Sequence, residues 1–209
     1  MIARAWHVLR HEGTLPLVYR VLGETVYRRL LLFETELSSS PFEPDVRCRW
    51  LGADDIEAYA KANPELSVDE FRRRLRAGLR CWAMVAPDGR VMHALWVATG
   101  SAFIDYLGYA LPLDTTDAYL YQSYTPAAFR GERYATVALR ALKHALMTEG
   151  VQRTVSCVQP DRAIAYPPVF RAGARPVAYL GWIGVGRWRR PFRRPTDRLP
   201  WYAPRPRAE

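Results

Sequence analysis

The chain has 209 residues, half of them apolar and a quarter charged, with a formal net charge of +9. That balance fits a globular domain with a substantial core, and it excludes a disordered or collagen-like chain. No apolar stretch reaches the roughly 18 uninterrupted residues of a membrane helix, no secretory leader is read at Met1–Arg10, and the expected location is cytoplasmic.

Cys48, Cys81 and Cys157 are odd in number, widely spaced and without a Cys-x-x-Cys pair. Neither a disulfide framework nor a zinc site is expected from them. The four histidines, His93 and His144 among them, have no partner at metal-ligand spacing and read as structural or surface residues. The excess positive charge favours polyanionic partners, which include nucleic acid, an acidic membrane surface and a phosphate-rich cofactor.

In chain order, Leu17, Val21, Leu22, Leu30 and Phe33 recur at helical spacing, with Pro16 tolerated in a first turn, so an amphipathic helix is predicted from Pro16 to Leu37. Ser38 to Pro44 reads as a linker. A short strand follows at Val46–Trp50, then a helix entered through Asp54 with Glu57 three residues on. Ser67 and Glu70 repeat that capping signal, opening a helix through Arg76 that Gly78 stops. Its Arg72, Arg73 and Arg74 read as a wet face.

Cys81–Ala86 and Arg90–Ala98 read as two strands of a hairpin closed by Pro87-Asp88-Gly89. An extended segment, Phe103–Leu107, precedes a loop with Pro112 and a tyrosine-rich strand at Ala118–Thr125. After the turn Pro126–Arg133, the apolar residues from Ala135 to Leu146 fall at helical offsets, and Gly150 closes that helix. Val151–Val158 is β-branched and alternating. Strand, turn, helix and strand in this order predict a parallel pair with a right-handed crossover, which places the turn at the strands' C-terminal edge, where ligands bind. A last strand is predicted at Pro176–Val185, and a poorly ordered basic, proline-rich tail from Arg187 onward.

Arg130-Gly131-Glu132-Arg133-Tyr134-Ala135 carries the chemistry. A helix N-terminus offers unpaired N–H groups and the positive end of the dipole, so it holds a phosphate without a dedicated side chain. Gly131 and Ala135 allow close approach, and Arg130 and Arg133 add charge. No Gly-x-Ser-x-Gly elbow and no Walker-type Gly-Lys-Ser/Thr sequence is present.

Ala118–Ala135 with the following helix resembles the coenzyme-A motif of the GNAT acyltransferase superfamily, which reads Gln or Arg, two residues, Gly, one residue, Gly or Ala. Arg130 and Ala135 stand at its first and last positions, Gly131 gives its Arg-Gly form, and Arg133 stands where the middle glycine belongs. Weaker likeness continues through Thr154–Val158, Asp161 near the usual Asn and Phe170–Ala174 near the usual Gly-Phe, and spans residues 46 to 185 in all.

The resemblance implies an α/β (α+β) fold: a mixed, mostly antiparallel twisted sheet with a splayed central parallel pair, flanked by helices. To this the sequence adds an N-terminal helical extension. The expected division is 1–44 for extension and linker, 45–186 for the acyl-CoA-binding domain and 187–209 for the tail. The implied activity is N-acyl transfer, acetyl in the first instance, from acyl-CoA to a primary amine, with no metal.

Tyr124, Thr125, the turn from Arg130 to Ala135, and Asp161 are then the cofactor contacts. Tyr166 is the implied acid for the departing thiolate, and Asp105 the base, with Asp117 as its competitor. The implied partner is a small-molecule or protein amine, a homodimer is compatible, and nucleic acid is not expected. The other readings are a non-catalytic module of the same fold, or a protein that binds nucleic acid or a membrane surface through Arg187–Arg194.

Overall fold

The computed structural model describes residues 26–37, 47–160 and 166–198. In chain order the elements are β1 (Tyr27–Glu36), β2 (Cys48–Leu51), a 3-10 turn (Ala53–Asp55), α1 (Ile56–Ala62), α2 (Val68–Arg76), β3 (Arg80–Val85), β4 (Val91–Thr99), β5 (Ser101–Ile104), β6 (Tyr109–Pro112), β7 (Asp117–Tyr124), a second 3-10 turn (Ala127–Phe129), α3 (Tyr134–Thr148), β8 (Arg153–Val158), α4 (Tyr166–Arg171), β9 (Arg175–Ile183) and β10 (Arg190–Pro195). Eight strands form one sheet in the order β10-β9-β1-β8-β7-β4-β3-β2, while β5 and β6 make a separate hairpin. Only β7 and β8 run parallel among these pairings. The expected mixed, mostly antiparallel sheet with one central parallel pair is therefore present.

Two stretches depart from expectation. Tyr27–Glu36 is a strand, not the end of a helix, and it lies antiparallel between β8 and β9. Leu30, Leu31, Leu32 and Phe33 are each no more than 4% exposed, because an interior strand is covered on both faces and reads as a continuous apolar run. That run satisfies helical spacing by accident. Residues 16–25 of the predicted helix, the linker and Val46 lie outside the described residues. The basic tail likewise supplies β10, which pairs with β9 from Arg190↔Ile183 to Pro195↔Ala178.

Smaller differences follow from local chemistry. The first helix starts at Ile56 rather than Asp54, because Asp55 is held in a 3-10 turn by Gly52 N–H (2.9 Å) and by a bidentate Arg49. Pro112 ends β6 instead of lying in a loop. Ser67 caps α2 as its spacing predicts, its side chain accepting from Glu70 N–H. Among the described residues Cys48, Cys81 and Cys157 form no disulfide, and no helix is long and apolar enough to cross a membrane.

Helix α3 lays Ala141, Leu142 and Leu146 on Trp82, Leu95, Val97, Ala118 and Leu120 of the sheet, and the Trp82 indole N–H donates to Ala138 O at 3.0 Å. Helices α1 and α2 pack Ile56, Tyr59 and Phe71 on Cys81, Ala94 and Trp96. The β5–β6 hairpin seals Leu30, Leu32, Tyr119 and Val155.

The parallel pair is fastened at its N-terminal end. Asp117 and Arg153 are register partners, and the Arg153 guanidinium grips both Asp117 carboxylate oxygens, Nε at 2.9 Å and Nη2 at 2.6 Å. Asp114 and Glu34 join the same guanidinium at 3.0 and 3.5 Å. The Asp117 side chain is almost fully buried, so removing its partner strands a charge away from water. Arg153→Met is expected to lower unfolding free energy by about 3 kcal/mol in urea titration. A loss below about 1 kcal/mol, the range of an exposed pair, would mean the clamp is effectively solvated.

Candidate functional site

The parallel ladder stops early. Its last registered pair is Leu120↔Ser156, yet β7 runs on to Tyr124, while β8 continues to Val158 paired with β1 along its other edge. On its other side β7 is bulged, since Trp96 pairs with Tyr121 and Ala94 with Tyr124, so three steps along β7 match two along β4. An extra residue bends the strand and leaves its ladder interrupted. Gln122 takes up the irregularity with φ +46°.

Helix α2 supports this bulge from below. Arg74 is buried; its Nε donates to Glu70 at 2.7 Å and its Nη1 to the Gln122 side-chain oxygen. The guanidinium lies 5.1 Å from the Trp96 ring centroid and 5.7 Å from that of Tyr121, where the ring quadrupoles attract it. Hydrogen bonds from Arg73, then from Arg74, hold the Glu70 carboxyl down at about 2, well below its ordinary range. Reading Arg74 as part of a wet face is thus corrected: it is the member of that arginine run that points inward.

His93, fully buried, stands at the same place. Its Nδ1 is 2.8 Å from Thr125 Oγ1 and its Nε2 3.4 Å from Ser123 Oγ. Burial depresses its pKa to about 4, so the imidazole is neutral near pH 7. No motif in the sequence marked His93 or Arg74 as neighbours of the strand end.

Beyond Thr125 the chain passes Pro126 and the second 3-10 turn to reach α3. Arg130 Nε donates to Thr125 O at 3.0 Å, which ties the turn back to the strand end. Gly131 has φ +92° and Arg133, the residue before the helix, φ +57°. Both are exposed, as is Glu132, and a Cβ added at Gly131 would meet open space. Among the described residues, none of the main-chain N–H groups of residues 131–135 donates to another main-chain carbonyl. A row of amides without main-chain partners at the positive end of a fifteen-residue helix is a geometry that suits an anion.

Tyr124, Thr125 and Arg130–Ala135 are therefore brought together at one open strand end. Asp105 is exposed in the β5–β6 turn, close enough to Arg73 and Tyr121 to interact electrostatically with both. Tyr166 is fully buried in α4, its hydroxyl donating to Pro160 O at 3.0 Å and its ring packed on Phe33 and Phe170. Asp117 belongs to the clamp, where a separate polar cavity of about 310 Å³ is lined by Glu36, Asp114, Thr116, Asp117, Gln152 and Arg153. Asp161 lies outside the described residues.

No protein-family model and no curated protein matches this sequence. Solved structures do match. An acetyltransferase of the GNAT family from Colwellia psychrerythraea superposes with a TM-score of 0.55 at 14% identity, over 78% of this chain and 59% of that one. A GCN5-related N-acetyltransferase from Sphaerobacter thermophilus gives 0.52 at 12% identity, over 78% and 54%. A Novosphingobium aromaticivorans protein assigned as a GNAT acetyltransferase gives 0.55 at 15%, over 73% and 61%. The chain spans less than two thirds of the length of each of these. It has the GNAT fold.

The strained turn makes a direct prediction. A side chain in the left-handed region costs about 1–2 kcal/mol, so Arg133→Gly is expected to be neutral or stabilising by up to about 1 kcal/mol after the entropy of the unfolded glycine is offset. Gly131→Ala, facing open space, is expected to lose about 1 kcal/mol from backbone strain alone. Chemical denaturation of both variants checks the pair, and a destabilised Arg133→Gly would show that the arginine side chain holds the turn.

His93 sets a pH dependence. Its folded pKa, about 4, lies below the ordinary 6.5, so the unfolded chain binds the proton first on acidification. Its contribution is complete above pH 6.5 and is lost as pH falls toward 4, with a slope of at most about 1.4 kcal/mol per pH unit. His93→Gln is expected to flatten the stability profile in that window, as read by denaturation at stepped pH.

Proposed function

We propose that this protein transfers an acyl group, acetyl in the simplest case, from acyl-coenzyme A to a primary amine. One observation carries the reading: a β-strand that leaves its parallel neighbour after Leu120↔Ser156 is followed directly by the amides without main-chain partners that begin α3. That pairing suits a ligand with an extended amide-bearing arm at one end and a diphosphate at the other.

In this reading the N–H groups of residues 131–135 take the pyrophosphate, and Arg130 and Arg133 add charge beside it. The pantetheine arm adds to the free edge of β7 at Ser123–Thr125 as a strand would. A main-chain N–H on that edge then faces the thioester oxygen as negative charge develops on it. The amine attacks the carbonyl, the tetrahedral intermediate collapses, and the thiolate departs with a proton. No covalent enzyme intermediate is needed.

Asp105 is the carboxylate proposed to relieve the attacking amine of its proton, directly or through water. Exposed Ser123 lies within the bulge, its hydroxyl 3.4 Å from neutral His93, and it is a second route for a proton. Tyr166, committed to Pro160 O, can serve as acid only if that bond exchanges. The sealed position of Tyr166 is also what favours the other reading, a module that binds acyl-CoA without turning it over.

Calorimetry and melting curves with acetyl-CoA, followed by an amine panel with thiol release as readout, test this. At 100 times its dissociation constant the ligand is expected to stabilise the fold by about 2.7 kcal/mol, and Arg130→Ala with Arg133→Ala to weaken binding about tenfold or more. Binding without thiol release from any amine would support the non-catalytic module. An unmoved melting curve with millimolar acetyl-CoA would end both readings.

A further inference from the structure

The basic C-terminal stretch is unexplained by acyl transfer, and it is built into the sheet. Between β9 and β10 the chain folds back over Gly184–Arg189, with Gly184 N–H bonded to Val26 O at 2.8 Å and Trp188 N–H to Val185 O at 3.0 Å. Gly184 adopts φ +130°, and a Cβ there would fall 2.0 Å from the Trp188 carbonyl oxygen, so the fold-back requires glycine.

This ordered tip displays apolar side chains to solvent. Ile183, Val185 and Trp188 are 54%, 62% and 77% exposed, and they are three of the four large exposed hydrophobics among the described residues. Cations surround them. From Ile183 to Pro195 there are five arginines and no carboxylate, and among the described residues only Arg193 of the five reaches an acid, Glu34 at 3.9 Å.

Of the aromatic rings near the tip, only Trp188 is largely open to solvent, while Trp182 is buried and Phe192 half-buried. Arg189 lies 4.0 Å over Trp182, Arg187 5.6 Å over Trp188 and Arg194 5.6 Å over Phe192. A single-strand binder stacks successive bases on successive rings, and one exposed tryptophan beside Ile183 and Val185 does not supply such a row. Nor does β10 invite a second copy, since Pro191 and Pro195 remove N–H donors from this edge strand and arginine flanks them. Exposed aliphatics and a tryptophan at a hairpin tip, ringed by arginines, match the chemistry of a lipid interface carrying negative charge.

We propose that the β9–β10 hairpin docks this protein on an anionic phospholipid surface, with Val185 and Trp188 entering the headgroup layer and Arg187, Arg189 and Arg190 meeting lipid phosphates. The proposal stands independently of acyl transfer. Co-flotation of the full chain with phosphatidylcholine vesicles, with and without phosphatidylglycerol, tests it, and single-stranded oligonucleotides are titrated in parallel.

Binding to the phosphatidylglycerol vesicles alone is expected, weakening as salt is raised. Arg187→Gln and Arg190→Gln should each lower vesicle affinity about fivefold, and Val185→Ser with Trp188→Ser should lower it at least as much, all with unchanged melting temperatures. Equal flotation on neutral and anionic vesicles, no flotation on either, or wild-type affinity in the Val185/Trp188 variant overturns the proposal. So does oligonucleotide binding that the same substitutions abolish while vesicle binding is absent, which would assign the tip to nucleic acid.

Discussion

The arrangement of the candidate site rests on a parallel strand pair fastened at one end and freed at the other. Arg153 and Asp117 lock the start of β8 to the start of β7 with two short hydrogen bonds, and three residue steps later the ladder ends at Leu120↔Ser156. Parallel strands diverge only if something overcomes the ladder bonds they would otherwise make. Here the bulge against β4 bends β7 past Leu120, while β8 stays straight on the support of β1, which pairs with it from Arg153 to Val158 along its other edge. The clamp keeps that divergence local.

Strain is gathered on both sides of the opening. Among the described residues, Gln122 and Arg133 are the two non-glycine positions with positive φ; one sits in the strand end and the other at the head of α3. Such conformations persist where surroundings over-determine them, and they cluster at binding and catalytic sites. Gln122 is held by the buried Arg74, which Glu70 and two aromatic rings fix in turn. Arg133 has no such brace in its exposed turn. The two outliers thus differ in kind: one is built into the core, and the other is tolerated by a turn whose amides remain outward.

Much of the scaffold was legible because it rests on short-range chemistry. The Pro87-Asp88-Gly89 hairpin, the Ser67 cap and the α3 repeat closed by Gly150 each depend on residues a few positions apart. β1 was not legible, since a fully buried strand loses its alternation and Leu30–Phe33 then satisfies a helical template equally well. β10 was hidden by its composition, because prolines and arginines suit both an exposed edge strand and a disordered tail. At the site, the turn from Arg130 to Ala135 could be read from small residues and charge, aided by family resemblance. Arg74 and His93 could not, because what distinguishes them from Arg72, Arg73 and His144 is which tertiary neighbour covers them.

The same limit explains why a net charge of +9 says little until the arginines are located. Arg74 is buried against Glu70, and Arg153 is surrounded by Asp117, Asp114 and Glu34, so both shape the sheet and contribute little field outside it. Arg130 and Arg133 lie at a helix N-terminus, where their charge adds to a dipole of the same sign and suits an anion of atomic dimensions. Those of the β9–β10 tip lie around exposed apolar side chains, where no described carboxylate but Glu34 approaches and the complement is an extended negative surface. One residue type therefore does three kinds of work, and burial, helix position and apolar company decide which.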